Sequence, residues 1–178
     1  MKPCLKVVLL DTHDVSRHGM TSLLDRADMC LVHNLTSLIE LDTCLHEKFC
    51  DVMLLDDALP KAVDASRAVR RIKVRSPETA IIVLSQKLHL GYIQQLIWDG
   101  ARGFIYKGEQ MATILSMAIQ TVYQGDLYLS PKATALQFQT QLHHDTLSTR
   151  DIQVLQLLQN GLTINEIAES LQLDCQTV

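Results

Sequence analysis

The strongest constraint on the fold is a regular alternation of short apolar runs with longer segments of helical periodicity. The apolar runs, which we interpret as strands, are Leu5–Leu10, Met29–Leu35, Asp51–Leu55, Thr79–Leu84 and Gly103–Tyr106. The helical segments lie near 14–26, 37–48, 64–74, 89–99 and 109–124. This alternation predicts an α/β fold with a five-stranded parallel sheet and helices on both faces. Right-handed crossovers restrict its topology to doubly wound orders.

Polar side chains follow four of these predicted strands. The stretch DVMLLDDALP is typical: a run suited to a strand buried on both faces ends on two adjacent carboxylates. Because ligands of parallel sheets bind beyond the carboxyl ends of the strands, we expect the polar residues to share one edge. They are Asp11, Asp56, Asp57, Ser85 and Lys107. Carboxylates suit a hard cation such as Mg²⁺, and a hydroxyl and an ammonium suit phosphoryl oxygens.

The same strand ends carry the motifs LLDTHD, LLDDALP, IVLSQ and GARGFIYK. In this order, and over residues 5–124, the chain resembles the receiver domains of two-component response regulators. The resemblance implies a flavodoxin-like receiver over residues 1–124 with Asp56 as phospho-acceptor, which would attack a phosphohistidine on a sensor histidine kinase. It also implies that Asp11, Asp56 and the backbone carbonyl of Ala58 hold Mg²⁺.

The resemblance assigns roles to three more residues and is incomplete at two others. Lys107 would pair with the phosphate, Ser85 would hydrogen-bond it, and Phe104 would be the aromatic switch that turns as Ser85 is drawn in. Thr12 stands where the family usually has a second metal-binding acid, and Asp57 stands where it favours an apolar residue. These departures leave an alternative open, an atypical receiver that regulates transcription without phosphorylation.

The chain changes character after the last predicted repeat. Residues 125–145 carry a glycine, a proline and a polar end, which predicts a linker with one short helix after Pro131. Beyond it, two helices are predicted over 149–159 and 164–171, and Gly161 suits the end of the first. Capping-box patterns mark their starts in the pairs Ser148–Asp151 and Thr163–Glu166. Two short helices joined by a tight turn indicate a helix-turn-helix.

Residues 146–178 closely resemble the LuxR-type DNA-binding domain. The matching residues are Leu147, Thr149, Arg150, Val154, Leu155, Leu158, Gly161, Leu162, Glu166, Ile167, Ala168, Leu171, Thr177 and Val178. A receiver followed by this domain is typical of the NarL/FixJ class of response regulators. Thr177 and Val178 would begin the recognition helix, which carries base readout in such proteins. Since the sequence stops at Val178, we expect a truncated domain that binds specific DNA poorly.

Composition and charge narrow the function classes further. The 178 residues carry a formal net charge of −4, which gives no chain-wide signal for nucleic acid, and no apolar run approaches the length of a membrane span. Five cysteines without an export signal predict reduced thiols and a cytoplasmic protein. We expect a homodimer that acts as a regulator and is not an enzyme. A phosphatase with an aspartate nucleophile needs a D-x-D motif, which Asp56–Asp57–Ala58 does not supply.

Overall fold

The computed structural model describes residues 4–26, 29–46, 50–59, 64–144, 154, 157 and 163–171. The chain divides into two compact units, Met1–Leu136 and Gln137–Val178, and each is treated by itself below.

The first unit is built on a parallel sheet. Its strands are β1 Lys6–Leu10, β2 Cys30–Leu35, β3 Val52–Asp56, β4 Ala80–Ser85, β5 Gly103–Tyr106 and β6 Tyr128–Leu129. Their order across the sheet is β2-β1-β3-β4-β5-β6, and every neighbouring pair is parallel. This arrangement confirms the doubly wound, flavodoxin-like prediction, with one strand more than the five expected.

Helices separate the strands and follow the sheet. They are α1 Asp14–Arg26, α2 Leu38–His46, α3 Ala65–Arg75, α4 Leu90–Trp98, α5 Met111–Tyr123 and α6 Pro131–His144. A further helix, α7 Ile164–Leu171, lies in the second unit. No helix in these described stretches is long and apolar enough to cross a membrane.

Side chains of successive strand residues enter two separate cores, one on each face of the sheet. On β1, Val7 and Leu9 pack with residues of α1 and α5, whereas Val8 and Leu10 pack with residues of α2, α3 and α4. Strands β3 and β4 are buried along their whole length. Each fully buried aliphatic side chain contributes about 1.5–3 kcal/mol. This two-sided burial therefore fixes the strand ends that carry the polar residues.

The sixth strand lies in the segment predicted as a linker. Tyr128 and Leu129 pair with Gly103 and Phe104 of β5. Ser130 extends the pairing: its N–H donates to the carbonyl of Phe104 at 3.0 Å, and its Oγ accepts from the N–H of Tyr106 at 3.1 Å. A strand of two residues is too short to show a period of two, so the sequence pattern gave no sign of it. The predicted helix after Pro131 is confirmed as α6.

The cysteines differ in part from the expectation of reduced thiols. Cys4 and Cys30 form a disulfide with Cα atoms 5.9 Å apart, which joins the segment just before β1 to the first residue of β2. Among the described residues, Cys44 and Cys50 take part in no disulfide. Burial raises the pKa of Cys50 to about 11, so this thiol is protonated and unreactive at neutral pH.

In the second unit, α7 begins with the predicted capping box. The side chain of Glu166 accepts from the Thr163 N–H at 2.8 Å and from the Thr163 hydroxyl at 2.7 Å. Ile167 and Ala168, on the predicted apolar stripe, are buried. The capping box of Ser148 and Asp151 lies outside the described residues, as do Thr177 and Val178.

Candidate functional site

The site is centred on Asp56, the last residue of β3, whose side chain is fully buried. Lys107 follows β5, and its backbone N–H donates to the Ser85 carbonyl at 2.7 Å. Its Nζ then reaches Oδ2 of Asp56 in a close ion pair. The backbone N–H of Ala58 donates to Oδ1 of Asp56 at 2.9 Å. Both carboxylate oxygens of Asp56 therefore have a donor, and the ammonium of Lys107 is held beside them.

Asp11, which follows β1, is the second buried acid of the site. Its Oδ1 accepts from the backbone N–H of His13 at 2.8 Å, whereas its buried Oδ2 makes no hydrogen bond. One ligand atom each from Asp11, His13 and Asp56 lie within 4.8 Å of one another. A buried carboxylate oxygen without a donor is costly in a folded protein. A cation bound between the two acids would remove that cost.

The pKa values of the two acids are shifted in opposite directions, upward for Asp56 and downward for Asp11. Burial raises the pKa of Asp56, and the repulsion from Asp11 adds to this, whereas Lys107 and the Ala58 N–H oppose it. Burial also acts to raise the pKa of Asp11, but the Ser16 side chain, the His13 N–H and the Asp56 side chain together lower it, with a smaller contribution from Lys107. Two carboxylates this close oppose each other's ionisation, so the pair gains from added positive charge.

Thr12 fills the place where a second acid was expected. Its hydroxyl donates to the backbone carbonyl of Ala58 at 3.0 Å. A carbonyl oxygen has two lone pairs, so the one left free still permits coordination. The donor set of Asp11, Asp56 and the Ala58 carbonyl consists of oxygens, which fits a hard divalent cation. His13 lies beside them, but its nitrogen suits softer metals, and nothing in the sequence distinguishes it from a surface histidine.

Ser85 is placed differently from the other predicted site residues. Its hydroxyl donates to Oδ2 of Asp57 at 2.7 Å. The Asp57 carboxylate also accepts from the Tyr92 hydroxyl at 3.1 Å and pairs with Lys87 Nζ at 3.5 Å. The sequence analysis identified Asp57 as a departure from the receiver pattern. It could not identify Tyr92 as a partner of Asp57, because the two residues are far apart in the sequence and share no motif.

Phe104 is fully buried within the core on the α2, α3 and α4 side of the sheet. An open cleft lies over the carboxyl edge, where Asp56 and Lys107 meet apolar side chains of α1 and α5, among them Met20 and Met111. The structure therefore brings Asp11, Asp56, Ala58 and Lys107 together, whereas Ser85 and Phe104 occupy neighbouring positions with partners of their own.

Comparison with known proteins identifies a family for each of the two parts of the chain. The response regulator receiver domain matches residues 7–119, and the luxR family of bacterial regulatory proteins matches residues 145–178. The oxygen regulatory protein NreC of Staphylococcus aureus is 30% identical over 187 residues, covering 98% of this chain and 86% of that protein.

Solved structures share the fold. The Salmonella typhimurium response regulator RcsB matches with a TM-score of 0.77 and 22% identity, covering 98% of this chain and 86% of that one. A LuxR-family response regulator from Aurantimonas matches with a TM-score of 0.69 and 21% identity, covering 74% and 94%. The family matches and the similarity to NreC show that the chain belongs to the NarL class of DNA-binding two-component response regulators, which join a receiver domain to a LuxR-type helix-turn-helix.

Proposed function

We propose that Asp56 accepts a phosphoryl group from a phosphohistidine of a sensor histidine kinase, and that this modification controls transcription through the LuxR-type domain. The observation that carries the proposal is the convergence of Asp56, Lys107 and Asp11 at one edge of the sheet, open to a cleft. Residues far apart in sequence gather here the nucleophile, the counter-charge and the second acid that the transfer needs.

The chemistry follows from the contacts of Asp56. A carboxylate oxygen attacks the phosphorus, an acyl phosphate bond forms, and the bond between phosphorus and the imidazole nitrogen breaks. The electron pair leaves with the imidazole, which then takes up a proton from solvent. The Ala58 N–H orients the carboxylate, and the Lys107 ammonium stabilises the charge of the transferred phosphoryl oxygens. Burial and repulsion by Asp11 raise the pKa of Asp56, whereas Lys107 and the Ala58 N–H lower it and so favour the carboxylate that attacks.

Asp11, Asp56 and the carbonyl of Ala58 would hold Mg²⁺. The ion supplies positive charge that offsets the charge of the phosphoryl group during transfer. The buried, unpartnered oxygen of Asp11 supports this assignment, because it is otherwise an unsatisfied anionic group. Thr12 removes one negative charge from the donor set, so we expect weaker Mg²⁺ binding than a site with a third acid would give.

The output we propose is a shift between monomer and homodimer that changes DNA binding in the cytoplasm. Structures of RcsB have been described as dimers bound to DNA, which supports this mode of action in a protein of the same fold. A phosphoryl group adds up to about two negative charges at the edge of the sheet, a change large enough to bias a two-state receiver.

A second candidate function has specific support. The hydroxyl of Thr12 donates to the carbonyl proposed for the metal, and the hydroxyl of Ser85 donates to Asp57. Both contacts are made between residues of the receiver itself. A receiver in this state could regulate transcription through dimerisation alone, with no phosphoryl transfer.

Incubation with Mg²⁺ and acetyl phosphate, followed by intact-mass measurement, separates the two candidates. We expect a single phosphoryl adduct in the unaltered protein and none in Asp56→Asn. Asp57→Asn is the matched control, because it makes the same change of charge one residue away. We expect this variant to form the adduct. A complete absence of adduct in the unaltered chain would favour the phosphate-independent regulator.

A further inference from the structure

Asp57 forms a second buried charge centre next to the phospho-acceptor. Its side chain is 5% exposed and holds three groups: the Ser85 hydroxyl, the Tyr92 hydroxyl and the Lys87 ammonium. Lys87 also lies over the ring of Tyr92, with Nζ 5.0 Å from the ring centroid. We call this group of four residues the Asp57 clamp.

The clamp competes directly with a phosphoryl group for Ser85. A serine hydroxyl has one proton to donate, and Ser85 gives it to Asp57 at 2.7 Å. Its oxygen in turn accepts from the backbone N–H of Lys87 at 2.8 Å. Ser85 can therefore donate to a phosphoryl oxygen on Asp56 only by leaving Asp57, and hydrogen bonds to charged acceptors are among the stronger ones.

The clamp also fixes the start of α4. Tyr92 lies in the first turn of that helix, and Lys87 lies in the loop between β4 and α4. Burial, together with Asp57, raises the pKa of Tyr92, so the phenol is a donor at neutral pH. One carboxylate, directly after β3, thus joins the end of β4, the following loop and the first turn of α4.

We propose that Asp57 is a resident anion that holds Ser85 and the start of α4 in place, and so uncouples the β4–α4 segment from the charge state of Asp56. One part of this inference, the competition for the Ser85 hydroxyl, rests on the proposed function, because the competing anion is a phosphoryl group on Asp56. The anchoring of α4 is a property of the clamp by itself.

The anchoring is tested by hydrogen–deuterium exchange over residues 85–92 in the protein without ligand. In Asp57→Ala we expect these amides, that of Lys87 above all, to exchange about tenfold faster, because the Ser85 hydroxyl and Tyr92 lose their charged partner. Asp57→Asn keeps the size and shape and should give a smaller increase. Asp99→Asn is the control, since Asp99 is a buried acid that holds the Ser66 hydroxyl at 2.5 Å near the other end of α4. Unchanged exchange in both Asp57 variants would overturn the proposal.

The uncoupling is tested by a double-mutant cycle with beryllofluoride, an analogue of the phosphoryl group, in the presence of Mg²⁺. In the unaltered protein we expect Ser85→Ala to change the apparent affinity by less than about twofold, because the hydroxyl is already committed to Asp57. In Asp57→Ala the same substitution should lower the affinity about tenfold. If the Asp57 charge acted only in a general way, Asp57→Ala would change the affinity by the same factor with and without Ser85→Ala. An equal effect of Ser85→Ala in the unaltered protein and in Asp57→Ala would therefore contradict the uncoupling.

The two experiments also separate this inference from the proposed function. Faster exchange without beryllofluoride binding in any variant would support the clamp and refute Asp56 as the phospho-acceptor. Beryllofluoride binding with unchanged exchange in the Asp57 variants would refute the clamp and leave the proposed function standing.

Discussion

Replacing Lys107 by methionine tests how much the ion pair of Lys107 and Asp56 contributes to stability. The two partners differ in burial, so removing one should cost more than removing the other. The Asp56 side chain is fully buried, whereas that of Lys107 is 16% exposed. Loss of the ammonium leaves a buried carboxylate facing Asp11, and breaking a buried pair in this way costs about 3–5 kcal/mol. The Ala58 N–H still donates to Asp56. We therefore expect the lower end, a loss of about 3 kcal/mol in the free energy of unfolding.

The opposite substitution, Asp56→Asn, should cost much less. Neutralising Asp56 leaves a partly exposed ammonium that solvent and Asp11 can stabilise. It also removes a repulsion between carboxylates whose oxygens lie within 4.8 Å, worth about 3.5 kcal/mol at an effective dielectric constant near 20. This gain offsets most of the lost attraction to Lys107, so we expect a net change of at most about 1 kcal/mol. Carrying both substitutions together should recover most of the stability that Lys107→Met loses.

Urea denaturation followed by circular dichroism at several pH values measures both effects. In Lys107→Met, burial keeps the pKa of Asp56 above its unfolded value, and the main opposing charge is gone. A raised folded pKa gives stability that is present at low pH and lost as the pH rises through that pKa. The deficit of Lys107→Met should therefore shrink as the pH falls from 7.5 to 5. Equal losses for the two single variants, or a deficit independent of pH, would refute this reasoning.

Three further predictions concern parts of the molecule outside the pocket. Reduction of the bond between Cys4 and Cys30, 26 residues apart, should cost about 3.5 kcal/mol in urea denaturation, and a Cys4→Ser/Cys30→Ser protein should not respond to the reductant. Thr163→Ala should weaken α7 by about 1 kcal/mol through loss of its cap, measured by amide exchange, and Thr163→Ser should restore it. Gly103→Ala should lower the stability of the first unit by about 1–3 kcal/mol, because the added Cβ would lie 2.8 Å from Ile82 Cγ1. Thermal denaturation measures this loss, and unchanged stability would show that β4 and β5 have room to adjust.

The sheet and three members of the pocket were predictable because strand ends of a parallel sheet share an edge. The apolar runs located the strands within one residue, and the polar residues at the carboxyl ends of β1, β3 and β5 then had to meet. Asp11, Asp56 and Lys107 do so. In the second unit, the cap of α7 was predictable because capping is local and needs only four residues.

The features that the sequence could not show depend on contacts between remote residues. The Cys4–Cys30 disulfide follows from the pairing register of β1 and β2, which no cysteine spacing reveals. The partner of Ser85 was decided by which nearby acid its hydroxyl can reach, and in the folded chain that acid is Asp57. Family resemblance predicted a role for Ser85 on phosphate, but it contained no information about an acid at position 57.

The central claim is that Asp56 is the residue that accepts a phosphoryl group. Reductive trapping with borohydride after incubation with acetyl phosphate and Mg²⁺ tests it most directly, because the reagent converts an aspartyl phosphate to homoserine at the modified position. Peptide mass spectrometry should then find homoserine at position 56 and aspartate intact at positions 11 and 57. Homoserine at either of those positions, or at none of the three, would contradict the account.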